Sequence, residues 1–336
     1  MPYDELELVD TIELVNSHQW DNLVEQSPTG TFFQKIEWLK AIEEGLDVEA
    51  RHLLAYSKNN IVALFPNFLK RIRGTSFQRL ISLPLGCGGP IITSSEGEIL
   101  NDMLDRSSRL CRGRTISHEI SMLNPNYVGY WGILRERGYN PIYRCNFQHN
   151  LSKGIEQNYN NLDKSKKKVL KNYYRKYTFE VEHINHDNLT LFYDSYMNLM
   201  KKIKADAYPL EFFDTLIKYC KDNTLITTQY LDGRYVGSKL SVIDNVNNTL
   251  YAALSGVERK RQTEHSSFLL IWHMIEWGIE NKFDIYDLGP TSDDFRNGVF
   301  NFKNSLGGTI VPNISWERTF YPLKPFYRLA QRMYGA

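Results

Sequence analysis

The amino-acid sequence predicts an α/β protein built from two similar halves, each a mixed, mostly antiparallel sheet flanked by helices. Two observations support this fold class. Stretches with the apolar spacing of helices are interspersed with stretches in which apolar and polar residues alternate, as in half-buried strands. The order helix, hairpin, strand, helix, strand also occurs twice along the 336 residues, with little identity between the halves. We therefore expect two α/β domains.

The first half contains a helix, a hairpin, a strand, a second helix and a second strand. The hairpin is predicted to turn at Asn59-Asn60, between two apolar runs. The strand that follows it runs into a glycine-rich bend. In order, the five segments are FFQKIEWLKAIEEG, LLAYSKNNIVALFPNFLK, RLISLPLGCGGPII, EGEILNDMLDRSSRLCR and ISHEISML.

The second half repeats this order, with two helices at its start and a hairpin predicted to turn at Asp232-Gly233. Ligands of such sheets bind at the ends of strands, and two domains would add a cleft. In order, the segments are LTLFYDSYMNLMKKI, PLEFFDTLIKYC, LITTQYLDGRYVGSKLSVI, TLYAALSG, SSFLLIWHMIEWGIENK and FDIYDLG.

Composition excludes several classes of protein. A hydrophobic content of 42%, a charged content of 24% and a formal net charge of +1 describe a globular protein without wholesale attraction to nucleic acid. The four cysteines are scattered without metal-binding spacing, so we expect reduced thiols, no metal site and a cytoplasmic location. The acidic start MPYDELELVD has no apolar core of a signal peptide and no apolar run is long enough to span a bilayer, so we expect neither a signal peptide nor a membrane span; contact with the inner membrane face stays open.

The most informative segment runs from Phe283 to Gly308, FDIYDLGPTSDDFRNGVFNFKNSLGG. It predicts a half-buried strand, a polar loop, and two buried rings at Phe300 and Phe302 that fix Lys303. A lysine held in this way just beyond a strand can bind an anion or a developing negative charge. The alternative is a surface loop with a solvated lysine.

This segment, a strand ending in D-x-G followed by F-x-F-K-x-x-x-G-G, resembles the Fem-type transferases. These FemAB-like proteins include peptidoglycan interpeptide-bridge aminoacyltransferases and have the GNAT acyltransferase fold. SPTGTFFQKIEWLKAI resembles the N-terminal element of the same family, and the order of elements is similar across most of the chain. The resemblance implies tandem GNAT-like domains at 1–155 and 156–311, with the tail 312–336 returning to the first domain.

The F-x-F-K motif of the resemblance implies that Lys303 stabilises the oxyanion, with Phe302 beside it at the substrate. From their positions at the ends of predicted strands we also expect Tyr251 to hydrogen-bond the reacting groups, Ser255 to contact the substrate and Asp287 to be a general base. A metal ligand, or a residue that caps a turn or helix, is the alternative for Asp287. Two further positions, Lys202 and Tyr208, would line the acceptor cleft, and Lys40 would contact the acceptor, although the family arginine is replaced by Tyr208 and Lys40 is out of register.

Two donors remain open. Acetyl-CoA-dependent GNAT proteins carry a glycine-rich turn before the helix that follows Ser255, and GVERKRQTEHSSFLL has no glycine pair there. Aminoacyl-tRNA is therefore the preferred donor and acyl-CoA the second candidate, with no tightly bound cofactor. The acceptor would be a cell-envelope precursor or an amino-sugar. A non-catalytic binding module on the same fold is the remaining alternative.

The segment DKSKKKVLKNYYRKY joins the two halves and is strongly basic. On one continuous helix its basic residues would lie within a single stripe, interleaved with tyrosines. Such a stripe suits a phosphate-bearing partner such as tRNA, whereas the alternative is a solvated helix face. The residues of this basic stripe are Lys164, Lys168, Lys171 and Arg175.

Overall fold

The computed structural model describes residues 3–93, 96–122, 124–257 and 265–320. These residues form two compact units. Unit 1 contains the described residues of 3–43, 47–143 and 313–320, and unit 2 contains those of 44–46 and 144–312. None of the helices in these ranges combines the length and apolar character that crossing a membrane requires.

Helices and strands cover most of both units. The bounds of some predicted elements, such as the helices Leu210–Tyr219 and Ser266–Glu280, are close to those expected, whereas the expected strand RLISLPLGCGGPII is two short strands, Gln78–Ile81 and Ile91–Ile92, in different sheets. The helices are α1 Ser17–Gln26, α2 Ile36–Gly45, α3 Glu96–Leu110, α4 Trp131–Glu136, α5 Gly154–Asn161, α6 Lys164–Tyr173, α7 His186–Ile203, α8 Leu210–Tyr219, α9 Ser266–Glu280 and α10 Gly298–Asn304. The strands are β1 Glu5–Val9, β2 Val48–Ala50, β3 His52–Ser57, β4 Asn60–Phe65, β5 Phe68–Arg71, β6 Gln78–Ile81, β7 Ile91–Ile92, β8 Thr115–Met122, β9 Asn140–Asn150, β10 Tyr177–His183, β11 Thr224–Leu231, β12 Arg234–Asp244, β13 Thr249–Gly256, β14 Ile285–Thr291 and β15 Thr309–Thr319.

Unit 1 contains two groups of paired strands. One is a sheet in the order β1-β3-β4-β7, and the other pairs β2, β5, β6, β8 and the second half of β15 in that order. Neighbouring strands are antiparallel except β6 and β8, which are parallel because the helix α3 lies between them in the chain. The apolar core of unit 1 lies around Phe65, Met103 and Trp316, all fully buried.

Unit 2 contains the strand order β10-β11-β12-β13-β14, followed by the second half of β9. Neighbouring strands are antiparallel except β13 and β14, which the crossover helix α9 makes parallel. The two faces of this sheet carry different helices. On one face, Thr227 of β11 donates a hydrogen bond to Met274 of α9; on the other, Tyr235 of β12 bonds Ser195 of α7.

Two local expectations differ in outcome. The turn at Asp232-Gly233 is confirmed, since Leu231 pairs with Arg234 and both turn residues have positive φ. The turn at Asn59-Asn60 is wrong by one residue, because Ser57 pairs with Asn60 and Lys58-Asn59 take the positive φ values. The long segment of unit 2 begins at residue 144, earlier than the expected position 156, because β9 from Cys145 onwards pairs with β14. Of the tail expected to return to the first domain, residues 313–320 belong to unit 1, and 321–336 lie outside the described residues.

Candidate active site

The candidate site lies where the parallel strands β13 and β14 separate. They pair over three positions only, the last joining Tyr251 to Asp287. Beyond that point β14 bulges and continues beside β9, with Pro290 opposite Asn146. A gap therefore opens between the ends of β13 and β14, and carbonyl groups at the end of β14 are left available for partners other than β13.

The ammonium of Lys303, on α10, lies at the end of β14 that borders this gap. Its Nζ donates hydrogen bonds to the carbonyl oxygens of Gly289 at 2.8 Å and Pro290 at 3.3 Å. Burial lowers the pKa of Lys303 to about 8, and the nearby Asp287 and Cys145 offset part of this effect. Lys303 is therefore a partly desolvated cation with a fixed position, which suits stabilisation of a negative charge.

The carboxylate of Asp287 is buried behind Lys303 and is well supplied with donors. It accepts hydrogen bonds from Asn146 Nδ2 at 2.9 Å to each oxygen, from Gln148 Nε2 at 2.8 Å and from the Gly289 amide at 2.7 Å. Burial raises the pKa of Asp287 above its ordinary value, and these donors and the charge of Lys303 offset only part of that rise. Both oxygens are thus engaged, and the bond to Gly289 holds the turn whose carbonyl binds Lys303.

The F-x-F-K residues form a helix, α10, which Asn297 caps by accepting hydrogen bonds from the amides of Val299 and Phe300. The rings of Phe300 and Phe302 pack against the apolar core of unit 2 and are half-buried rather than fully buried, because α10 lies at the edge of that core. Phe300 meets Phe147 edge-to-face at 5.2 Å. These contacts fix the helix and therefore Lys303.

The first glycine of the final pair in the motif has a structural role. Gly307 has a φ of +78°, and a Cβ there would lie 2.2 Å from the carbonyl oxygen of Asn161. Only glycine meets both conditions, since a side chain would be strained and would also collide with the backbone at the end of α5. Gly307 therefore closes the chain tightly behind the lysine.

Sequence reasoning missed Lys239, in the middle of β12. It lies directly opposite Thr227 on β11 and Ser255 on β13, so it faces the same side of the sheet as α9. Burial lowers its pKa to about 8, and the charge of Lys303 lowers it further. The available signal was a charged residue inside GSKLSVI, a run otherwise suited to a central strand.

Comparison with known proteins identifies the fold that carries these residues. A family model described as an acetyltransferase (GNAT) domain matches residues 157–303, which include β10 to β14 and Lys303 but not Asn146 and Gln148 of β9 or Gly307. Residues 157–303 therefore match a GNAT family model and have a GNAT-like fold. A search of curated proteins finds no match to the sequence.

Solved structures of similar fold extend over nearly the whole chain. FemX has a TM-score of 0.70 and 12% identity, covering 97% of this chain and 99% of its own. A tandem GNAT protein from the clavulanic acid biosynthesis pathway has a TM-score of 0.61 and 11% identity, covering 95% and 99%. The C-terminal domain of a protein assigned as a lysylphosphatidylglycerol synthetase from Agrobacterium fabrum has a TM-score of 0.58 and 13% identity, covering 94% and 95%. The tandem GNAT-like fold expected from the Fem-type resemblance is confirmed.

The GNAT domain brings together four of the expected site residues. Tyr251 and Asp287 form the last pair before the gap, Lys303 borders it, and Phe302 lies one residue before Lys303. Ser255 is further along β13, opposite Lys239 and half-buried. No cluster of three metal-binding side chains occurs within the described ranges.

Two of the expected acceptor residues lie in other segments of unit 2 than Lys303, and the third lies in unit 1. Lys202 lies near the end of α7 and is exposed; α7 packs on the face of the sheet opposite α9. Tyr208 lies between α7 and α8, where its ring contacts Phe212 at 5.3 Å and burial raises its pKa to about 12. Lys40 is half-buried on α2, in unit 1.

The basic stripe is shorter than the sequence suggested. Lys164, Lys168 and Lys171 are exposed on α6, but that helix ends at Tyr173 and Arg175 lies in the 3-10 turn Tyr174–Lys176. Lys166 of α6 instead points inward. Its Nζ lies 4.8 Å from the ring centroid of Phe302 and 5.3 Å from that of Phe268, and burial lowers its pKa.

Proposed function

We propose that the protein is an N-acyl or aminoacyl transferase of the FemAB-like type, which acts in the cytoplasm on an amine of a cell-envelope precursor. The observation that carries this proposal is the position of Lys303. Its ammonium is held by two carbonyl groups beside the gap between β13 and β14, with the Asp287 carboxylate behind it. A desolvated cation of this kind stabilises the oxyanion of a tetrahedral intermediate without reorganisation during the reaction.

The reaction begins with attack of a neutral amine on the carbonyl carbon of an activated ester. A C–N bond forms and the carbonyl oxygen becomes an oxyanion beside the Lys303 ammonium. The intermediate then collapses, the C–O bond to the donor breaks, and the proton lost by the amine nitrogen is taken up by the departing alcohol oxygen. Positioning of the amine and the ester contributes as much as charge stabilisation.

The hydrogen bonds of Asp287 favour a positioning role over the general base expected from the sequence. Both of its oxygens already accept hydrogen bonds from buried donors, and one of these bonds fixes the Gly289 turn. Removing a proton from the amine would require one of these bonds to break. Tyr251, paired with Asp287 at the opening of the gap, remains the candidate for a hydrogen bond to the reacting groups.

Aminoacyl-tRNA is the donor we propose, in line with the resemblance to Fem-type enzymes and the absence of a glycine pair after Ser255 in the sequence. The exposed lysines of α6 would contact its phosphates. Acyl-CoA is the second candidate, favoured by the match to an acetyltransferase family. A lysylphosphatidylglycerol synthetase among the structural neighbours makes an envelope lipid one acceptor to test.

Direct donor assays separate these alternatives. The protein is incubated with labelled aminoacyl-tRNA or with labelled acyl-CoA, in each case with and without amine acceptors that include amino-sugars and aminated envelope precursors. Transfer from aminoacyl-tRNA that is abolished by Lys303→Ala supports the proposal. Transfer from acyl-CoA alone supports the second candidate. Transfer from neither donor, together with no binding of either in a direct titration, would leave a non-catalytic module and refute both enzymatic alternatives.

A further inference from the structure

The sheet of the GNAT domain has an unusual polar end on the face that α9 covers. Along this face β11 presents Leu225, Thr227 and Gln229, and β12 presents Ile243, Ser241 and Lys239. Leu225 and Ile243 belong to the apolar core. The character of the face therefore changes from apolar to polar as it approaches the start of α9, the helix that follows β13.

Gln229 lies fully buried at this polar end. Its neighbour across the strand is Gly237, and Lys239 lies on the diagonal, at the spacing of about 7–8 Å typical of such pairs. Within the described part of the chain, neither Nε2 nor Oε1 of Gln229 has a hydrogen-bond partner. Buried amides are rarely left in this state, so a ligand is the expected partner.

Lys239 also has no compensating charge among the residues that the structure describes. It forms no ion pair with any residue in the described ranges, and the charged group that acts on it is a second cation, Lys303. Lys303 differs in this respect, because Asp287 lies close to it. A half-buried ammonium with a cation for a neighbour is unfavourable unless an anion binds between or beside them.

We propose that Gln229 and Lys239, with Ser255 opposite Lys239, form a subsite that binds an oxyanion, either a carboxylate or a phosphate, carried by a substrate of the transfer. The Lys239 ammonium and the Gln229 amide nitrogen donate to the oxyanion. The Gln229 carbonyl oxygen accepts from an adjacent N–H or O–H group of the same ligand. This inference deepens the proposed function and rests on it only for the molecule that carries the anion.

The test is a binding measurement that requires no transfer. The full-length protein, labelled with ¹⁵N at lysine Nζ, is titrated with sodium phosphate or with sodium succinate, against sodium chloride at matched ionic strength. We expect the Lys239 ammonium resonance to shift saturably with at least one of the two oxyanions. Response to phosphate alone identifies a phosphate subsite, and response to succinate alone identifies a carboxylate subsite.

Two variants and one control sharpen the result. Affinities of the variants are measured by isothermal titration calorimetry with the same salts, because Lys239→Met lacks the reporting resonance. Lys239→Met should weaken binding by about tenfold or more, the usual loss for a charge-assisted hydrogen bond. Gln229→Glu should have a similar effect, because the new carboxylate pairs with Lys239 in place of the ligand. Lys153→Met changes an exposed lysine of the same unit and should leave affinity unchanged. Thermal unfolding confirms that each variant is folded.

The proposal is overturned if the Lys239 resonance responds to neither anion in the native protein, or if folded Lys239→Met binds as tightly as the native protein. Saturable binding with no detectable transfer from any donor would leave this subsite intact and refute the proposed function instead.

Discussion

Replacing Lys303 with alanine tests the proposed chemistry most directly. The change removes the ammonium and its hydrogen bonds to the Gly289 and Pro290 carbonyl oxygens. Loss of one preorganised electrostatic interaction typically costs about 3 kcal/mol, or roughly a hundredfold in rate. The effect on stability should be smaller, because removing the partly buried charge offsets the missing hydrogen bonds; a charged hydrogen bond contributes about 1.5–3 kcal/mol.

The assay is single-turnover transfer from saturating labelled donor, which separates the chemical step from donor binding. Lys303→Arg should recover only part of the rate, because the guanidinium is broader and planar and cannot occupy the same position between the two carbonyls. Lys153→Ala is the matched control and should react at the native rate. If Lys303→Ala is folded, binds donor and reacts within about threefold of the native rate, Lys303 does not stabilise the transition state.

Three further predictions concern pH, the motif glycine and the basic stripe. Lys303 is charged below its pKa of about 8 and loses this charge as the pH rises, so kcat should fall above about pH 8. Lys239→Met should move this fall in kcat to higher pH, because the repulsion between the two lysines is reciprocal. A pH profile that does not move would contradict the proximity of the two lysines. Gly307→Ala should lower the free energy of unfolding by more than the roughly 1–2 kcal/mol that a non-glycine residue costs in the left-handed conformation, because the new Cβ would also collide with a carbonyl oxygen. A denaturation midpoint equal to the native one would show that the segment relaxes. The exposed lysines of α6, Lys164, Lys168 and Lys171, can be replaced together with alanine. If they bind phosphates of tRNA, the slope of log affinity against log salt concentration should become shallower by about 0.9 for each duplex phosphate that is no longer neutralised. An unchanged slope identifies a solvated helix face.

Much of the architecture follows from local patterns that the sequence carries openly. The alternation in FDIYDLG identified β14, and the Asp232-Gly233 pair identified the hairpin of β11 and β12. Lys303 was singled out because two aromatic residues and a glycine pair surround it, which is a feature of neighbouring residues alone. Errors of one residue, as at the Lys58-Asn59 turn, arise because several polar residues in a row can each take a positive φ.

The sequence therefore predicted two similar α/β halves and pointed to Lys303, and the resemblance that its motifs carry predicted the GNAT-like fold. Tertiary structure decided which distant residues meet that lysine. The donors to Asp287 come from Asn146 and Gln148, about 140 positions away in the chain, and Lys239 reaches the site through the register of β11, β12 and β13. Register depends on pairing between separate segments, and a shift of one residue would turn Lys239 to the opposite face. Local periodicity contains no information on that choice, so only the folded sheet identifies Gln229 and Lys239 as neighbours.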